Sequence, residues 1–91
     1  MTDEWASMHG ALVRLPVDMP DDLLAAIVNL AATAPPHNQA EYIKNKLDEE
    51  FAPHWHVTIG NSFGSHVVHQ AKKFVYFYLN NRAHLIYKMG Q

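Results

Sequence analysis

The chain has 91 residues, a formal net charge of −2 and no cysteine. A chain of this length forms one domain, and the lack of cysteine is typical of proteins from a reducing compartment. Its lysines and arginines are scattered, whereas a nucleic-acid-binding protein clusters them on one face. No apolar run approaches the roughly 20 residues that span a membrane, and residues 1–10 lack the layout of a signal peptide. We therefore expect neither nucleic acid nor a membrane as a partner.

The first ten residues show no hydrophobic period and predict a flexible tail, with the folded domain covering residues 11–91. Trp5 stands out in this tail, because a tryptophan there is either a docking anchor for a partner or a residue that folds back onto its own domain. Residues 11–15 alternate apolar and other side chains up to Pro16, and this alternation predicts a short strand.

Two helices are predicted next. The first covers about residues 19–32, with Asp18 as the candidate N-cap, and ends before two consecutive prolines. The second begins at Pro36 or at Asn38 and ends before Pro53. The apolar arc of the first helix is wider than contact with one sheet requires, so this helix is either deeply buried or in contact with a partner.

Residues 54–60 alternate apolar and polar side chains and predict a strand, and further strands are predicted at residues 63–69, 73–79 and 82–89. Asn80 and Asn81 separate the last two strands and indicate a tight hairpin, because asparagine tolerates a positive φ angle. The order of one strand, two helices and four strands predicts an α+β fold, in which two helices pack on one face of an antiparallel β-sheet.

The strand at residues 73–79 is apolar on both faces. One face carries Val75, Phe77 and Leu79, and the helices can cover it. The other face carries Phe74, Tyr76 and Tyr78, together with Tyr87 of the next strand. Either water or a second copy of the chain covers this face. Burying three aromatic rings contributes on the order of 10 kcal/mol before ordering costs, which favours a dimer.

The stretch 53–79 resembles the strand-rich half of the eight-kilodalton dynein light chains. The shared pattern is a proline, a Trp-His pair, a strand that ends in glycine, a Phe-Gly-Ser triplet, a histidine and an aromatic strand. The resemblance covers about residues 13–90 and is weaker across the helices. The residues that match are Pro53, Trp55, His56, Gly60, Phe63, Gly64, Ser65, His69, Lys72, Phe74, Tyr76, Phe77, Tyr78, Leu79, Lys88 and Gly90.

The resemblance implies a non-enzymatic dimer without a cofactor, in which strand 63–69 crosses over to the sheet of the other subunit. It also implies that extended segments of dynein intermediate chains add as strands in two grooves at the dimer interface. The implied groove residues are Phe63, Gly64, Ser65, His66, Val67, Val68, His69, Phe74, Tyr76 and His37. The implied interface residues are His56, Ser65, His66, Val67, Tyr76, Tyr78 and Tyr87.

The sequence departs from the family at residues that the resemblance assigns to the groove. His66, Val68 and His37 stand where family members usually have tyrosine, threonine and lysine, and the family's asparagine of the first strand falls at or near Pro16. Val68 cannot donate a hydrogen bond, and a neutral His37 carries no charge. We therefore expect a groove that takes a strand but does not favour the threonine-glutamine-threonine type of segment.

Seven histidines are present, but no three of them show the convergence that a metal site requires. No catalytic constellation stands out either, so we expect no metal and no catalytic residue. His56 has two alternative roles at the expected interface. In the first, the interface requires a neutral His56, so the dimer loosens as the pH falls. In the second, His56 is paired within the interface and the dimer does not respond to pH.

Two functions remain open at this point. The first is a light chain of a dynein motor in the cytoplasm and cytoskeleton. The departures from the family pattern and the presence of Trp5 lead us to expect an axonemal, outer-arm member in a cilium or flagellum. Such a light chain forms a homodimer, or a heterodimer with another light chain. The second is a dimerisation adaptor of the same fold that has no connection with a motor.

Overall fold

The computed structural model describes residues 4–15, 17, 19–61 and 71–89. Five strands and two helices occur there, and the strands form one antiparallel sheet in the order β1-β2-β4-β5-β3. The predicted fold class, two helices packed on an antiparallel sheet, is confirmed. The elements are β1 (Glu4–Met8), β2 (Ala11–Leu15), α1 (Asp21–Thr33), α2 (Gln39–Phe51), β3 (Trp55–Gly60), β4 (Ala71–Leu79) and β5 (Arg82–Met89).

Strand β1 corrects the prediction of a flexible tail, which is wrong for residues 4–8. All five residues of β1 pair with β2, from Glu4 opposite Leu15 to Met8 opposite Ala11. The connection is the pair His9 and Gly10, whose φ angles of 54° and 88° suit a two-residue hairpin turn. A glycine tolerates this conformation without strain. The sequence reading missed the strand because this turn lacks the usual asparagine-glycine pair.

The helices begin close to the predicted positions. Helix α1 starts at Asp21, and its N-cap is Pro20 rather than the predicted Asp18, which lies outside the described residues. Helix α2 starts at Gln39 with Asn38 as its N-cap, so the Asn38 alternative is correct and the Pro36 alternative is wrong. Asn38 has a left-handed φ angle of 61°, and its carbonyl accepts a hydrogen bond from the Tyr42 amide at 2.9 Å.

The hydrophobic core lies between the two helices and one face of the sheet, which we call the inner face. Val75 and Phe77 of β4 are fully buried there, as predicted, and Leu79 packs against the edge of the core. The broad apolar arc of α1 is explained by deep burial of its side chains. The largest fully buried side chains among the described residues are Val13, Leu24, Ile27, Ile43, Leu47, Trp55, Val75, Phe77 and Ile86.

A polar contact fastens the end of α2 to the start of β3. The Trp55 amide donates to a carboxylate oxygen of Asp48 at 2.8 Å, and the Lys44 ammonium bonds the second oxygen. The hydrogen bond from Lys44 lowers the pKa of Asp48, and the bond from Trp55 acts in the same direction. This contact helps to bring Trp55 into the core, where the Lys88 ammonium lies 5.8 Å from the centre of its ring.

His84 is a polar residue within the core. Register places it opposite Phe77 on the inner face, and the two rings stack at 4.7 Å. Its Nδ1 donates to the Arg82 carbonyl at 3.0 Å, since a carbonyl oxygen can only accept. Burial lowers the pKa of His84 below its ordinary value, and the bond to Arg82 offsets this only in part. In the alternation of β5, His84 lies two residues before Ile86, and this spacing places both side chains on the inner face.

The burial of His84 predicts that acid destabilises the protein. The unfolded chain takes up a proton near pH 6.5, and the folded chain does so only at lower pH. Stability from the neutral ring is therefore complete above about pH 6.5 and decreases as the pH falls below it, by at most about 1.4 kcal/mol per pH unit. Urea titrations between pH 7.5 and 5 measure this dependence.

The substitution His84→Leu should flatten that dependence, because a leucine fills the site without titrating. Asn45→Leu is the control, since Asn45 of α2 is exposed and does not titrate, so its replacement should leave the dependence unchanged. Equal slopes for the wild type and His84→Leu would show that another group is responsible.

Candidate outer-face interface

The face of the sheet opposite the helices, which we call the outer face, carries an aromatic surface. Alternation along each strand and the register between strands place its side chains on this side. Phe74, Tyr76 and Tyr78 of β4 are among them, as predicted. The residues of the outer face include Trp5, Ser7, Leu12, Arg14, His56, Thr58, Phe74, Tyr76, Tyr78, Leu85 and Tyr87.

At one end of the outer face, Trp5 of β1 packs on two tyrosines of β4. Its ring centre lies 5.7 Å from that of Tyr76, edge to face, and 5.5 Å from that of Tyr78. The Arg14 guanidinium lies 5.8 Å from the centre of the Tyr76 ring. Tyr76 is consequently only 7% exposed, whereas Trp5 itself is half-buried. Of the two alternatives for Trp5, the structure shows the residue folded onto its own domain.

A hydrogen bond joins the two tyrosines of this cluster and raises the pKa of Tyr78 above its ordinary value. The phenol of Tyr78 is therefore neutral near pH 7, and it supplies shape and apolar area rather than charge. The ring centres of Tyr76 and Tyr78 are 5.9 Å apart. Aromatic contacts of this kind each contribute about 0.5–1.5 kcal/mol beyond the burial of area.

At the other end of the outer face, His56 of β3 pairs with Tyr87 of β5. Their rings are parallel to within 17°, with centres 5.0 Å apart. Tyr87 also lies opposite Phe74 of β4, so the aromatic surface continues across three strands. His56 is exposed in the single chain, and Phe74 and Tyr87 are half-buried. The predicted interface residues His56, Tyr78 and Tyr87 thus share this face with Tyr76.

The outer face exposes apolar groups that the isolated chain leaves in contact with solvent. Leu12 of β2 is 46% exposed, and it lies opposite Tyr78. Phe74, Tyr78 and Leu85 of the same face are half-buried. Because exposed apolar patches are typical of interaction sites, the outer face is the candidate for an interface. The sequence reading missed the contributions of Leu12 and Arg14.

Of the predicted groove residues, the three that the structure describes are not brought together by one chain. Residues 63–69, which include Phe63, the histidines and the predicted crossing strand, lie outside the described residues. Phe74 and Tyr76 occupy the outer face, whereas His37 is exposed in the connection between α1 and α2, on the helix side of the sheet. The described part of the groove is therefore divided between the two sides of the molecule.

The described residues contain no group of three histidine, aspartate or glutamate side chains that could hold a metal ion. Within the same residues, neither helix has the length and apolar character needed to cross a membrane. A cavity of about 240 Å³ opens on the helix side near the β4–β5 turn, away from the outer face, and Gln39, Arg82 and His84 contribute to its lining.

Solved structures match the fold described above. The dynein light chain-like domain of a Fasciola hepatica calcium-binding protein, in its native crystal form, superposes with a TM-score of 0.71 at 15% identity, over 84% of this chain and 88% of that chain. A mercury derivative of the same domain gives a TM-score of 0.69 at 16% identity, over 98% of this chain and 93% of that chain. At this identity the likeness establishes the fold.

Sequence comparisons identify the family. The family model of dynein light chain type 1 matches residues 12–89, so the match begins in β2 and leaves β1 outside it. A dynein light chain of Schistosoma mansoni is 36% identical over 78 residues, which is 80% of this chain and 88% of the relative. The cytoplasmic dynein light chain 1 of Debaryomyces hansenii is 37% identical over 78 residues, with 80% and 86% covered. The chain belongs to the dynein light chain family.

Proposed function

We propose that the chain is a non-enzymatic light chain that acts as a two-fold dimer and holds extended segments of dynein intermediate chains. Each segment adds as a β-strand in a groove at the dimer interface, so backbone hydrogen bonds supply affinity and side-chain contacts supply selectivity. Membership of the dynein light chain family supports the light chain role. The observation that carries the proposal is the aromatic outer face, which one chain leaves partly exposed.

Energetic considerations favour a second copy as the cover of the outer face. Leu12, Phe74, Tyr78, Leu85 and Tyr87 retain exposed apolar surface on one side of the sheet. At roughly 25 cal/mol for each Å² buried, closing such a surface against its own copy stabilises the pair by several kcal/mol before ordering costs. A two-fold contact matches this geometry, because it sets the same face of each subunit against the other.

The position of His37 supports grooves built from two chains. His37 lies on the helix side, and Phe74 and Tyr76 lie on the outer face of the same chain. A groove that contains all three of these residues therefore takes His37 from one subunit and the two aromatic residues from the other. In such a dimer the two grooves hold two segments side by side, which increases the overall affinity through bivalency.

The cytoplasm and the cytoskeleton are the proposed location, because the Debaryomyces hansenii relative is named as a cytoplasmic light chain. Within that range we propose an axonemal, outer-arm member of a cilium or flagellum. The departures at His37, His66 and Val68 support a specialised light chain. Its partner subunit is a second copy or a related light chain.

Affinity isolation of the tagged chain tests the proposed assembly. We expect dynein heavy and intermediate chains to co-purify with the wild type. The variant Tyr87→Arg should lose them, because it places an unpaired charge in the proposed interface, where a buried charge is costly. Asn45→Arg adds the same charge on the exposed surface of α2 and should behave as the wild type.

Two results of this isolation would count against the proposal. If the wild type retrieves a set of proteins without motor subunits, the chain is a motor-independent adaptor of the same fold. If Tyr87→Arg retains every partner while thermal melting shows an intact fold, the outer face does not support assembly.

Groove selectivity provides a second prediction. A ten-residue peptide with a threonine-glutamine-threonine centre should bind weakly, because Val68 cannot donate a hydrogen bond to it. The double variant His66→Tyr, Val68→Thr should bind this peptide about tenfold more tightly, which is a typical gain for one restored hydrogen bond. Isothermal titration calorimetry measures both affinities, and equal affinities for the two proteins would contradict the prediction.

A further inference from the structure

Strand β1 is an addition to the part of the chain that the family model matches. The match covers residues 12–89, and β1 occupies Glu4–Met8. The strand is held at both ends, since all its residues pair with β2 and the turn is tied to α1 by a hydrogen bond between His9 Nε2 and Asp21 Oδ1 at 2.9 Å. The position of Trp5 is therefore set by the sheet and by the helix layer together.

The indole of Trp5 covers the phenol of Tyr76. A partner that approaches β4 here would therefore contact Trp5 before Tyr76. Tyr76 is 7% exposed, with Trp5 against its ring edge to face and the Arg14 guanidinium 5.8 Å from its ring centre. Trp5 is half-buried, so part of its ring faces solvent. A segment that passes over β4 at this point can reach Tyr76 only after Trp5 has moved.

We propose that Trp5 is a selectivity residue of the partner groove, and that it restricts the bound segment to a small side chain (glycine, alanine or serine) at the position that passes Tyr76. This inference rests on the proposed function, in which Phe74 and Tyr76 line the groove. Trp5 touches the bound segment, and its bulk fills the space that a larger side chain of the segment would otherwise occupy.

The restriction applies to one position of the segment. Side chains of an extended segment alternate between the two faces of the strand, so every second one faces the sheet. Only the side chain directly over Trp5 meets the indole, and its neighbours two residues away pass over different strand positions. Removing the indole should therefore create a hole that accepts a leucine or a phenylalanine at that position and leaves the other preferences unchanged.

A displayed library of random ten-residue peptides tests this inference. The library is selected against the wild type, Trp5→Ala and the control Glu4→Ala, which changes an exposed residue of the same strand on the face opposite Trp5. The wild type and Glu4→Ala should select a small residue at one shared position, and Trp5→Ala should select a large one there. In calorimetry, the peptide with the large residue should bind Trp5→Ala about tenfold more tightly than it binds the wild type.

The variant Trp5→Phe controls for the possibility that alanine at this position disrupts strand β1. Phenylalanine keeps an aromatic contact with Tyr76 but occupies less space than the indole, so this variant should accept residues of intermediate size. Circular dichroism and thermal melting of each variant establish that the sheet is intact.

The possible outcomes separate this inference from the function on which it rests. If all the proteins select the same residues at every position, segments bind but Trp5 does not restrict them, and this inference alone is overturned. If Trp5→Ala loses affinity equally for every peptide, Trp5 is an adhesive contact, and the restriction is also overturned. If no peptide binds any of the proteins, the proposed function fails, and the inference fails with it.

Discussion

The structure depends on one constraint: its central strand is apolar on both faces. Strand β4 lies in the middle of the sheet, and it carries Val75 and Phe77 on the inner face and Phe74, Tyr76 and Tyr78 on the outer face. Two layers must therefore cover it. The helices form the inner layer completely, and the buried residues Ile27, Ile43 and Leu47 show that this layer is closed. The outer layer is the part of the molecule on which the proposed function depends.

The chain itself supplies only part of that outer layer. Trp5 reaches across β2 and packs on Tyr76 and Tyr78, so this end of the outer face is covered by the N-terminal strand. Around and beyond this cluster, Leu12, Phe74 and Tyr87 remain partly exposed. A second copy of the chain is the cover that the proposed function requires there. In this account, β1 covers part of the aromatic surface from within the chain and also gives the groove a wall that the family-matched region lacks.

Local patterns predicted most of the fold. The apolar and aromatic run in residues 73–79 and the Asn80-Asn81 pair identified the hairpin, and both asparagines adopt positive φ angles of 54° and 64°. Strand β1 could not be predicted in this way, because the burial of Trp5 depends on two tyrosines that are far away in the sequence. The burial of His84 follows from its register opposite Phe77, which a strand taken alone does not reveal. For the site, sequence placed Phe74, Tyr76, Tyr78 and Tyr87 on one face correctly, but it did not foresee that Trp5 shields Tyr76.

Sedimentation equilibrium of the purified chain tests the central claim most directly, because it measures whether a second copy covers the outer face. The chain has a mass of 10.3 kDa. The account predicts one species of twice that mass at micromolar concentration, and a shift toward the single-chain mass when an arginine replaces Tyr87. A single-chain mass for the wild type at every concentration would contradict the account, because the aromatic outer face would then be open to water.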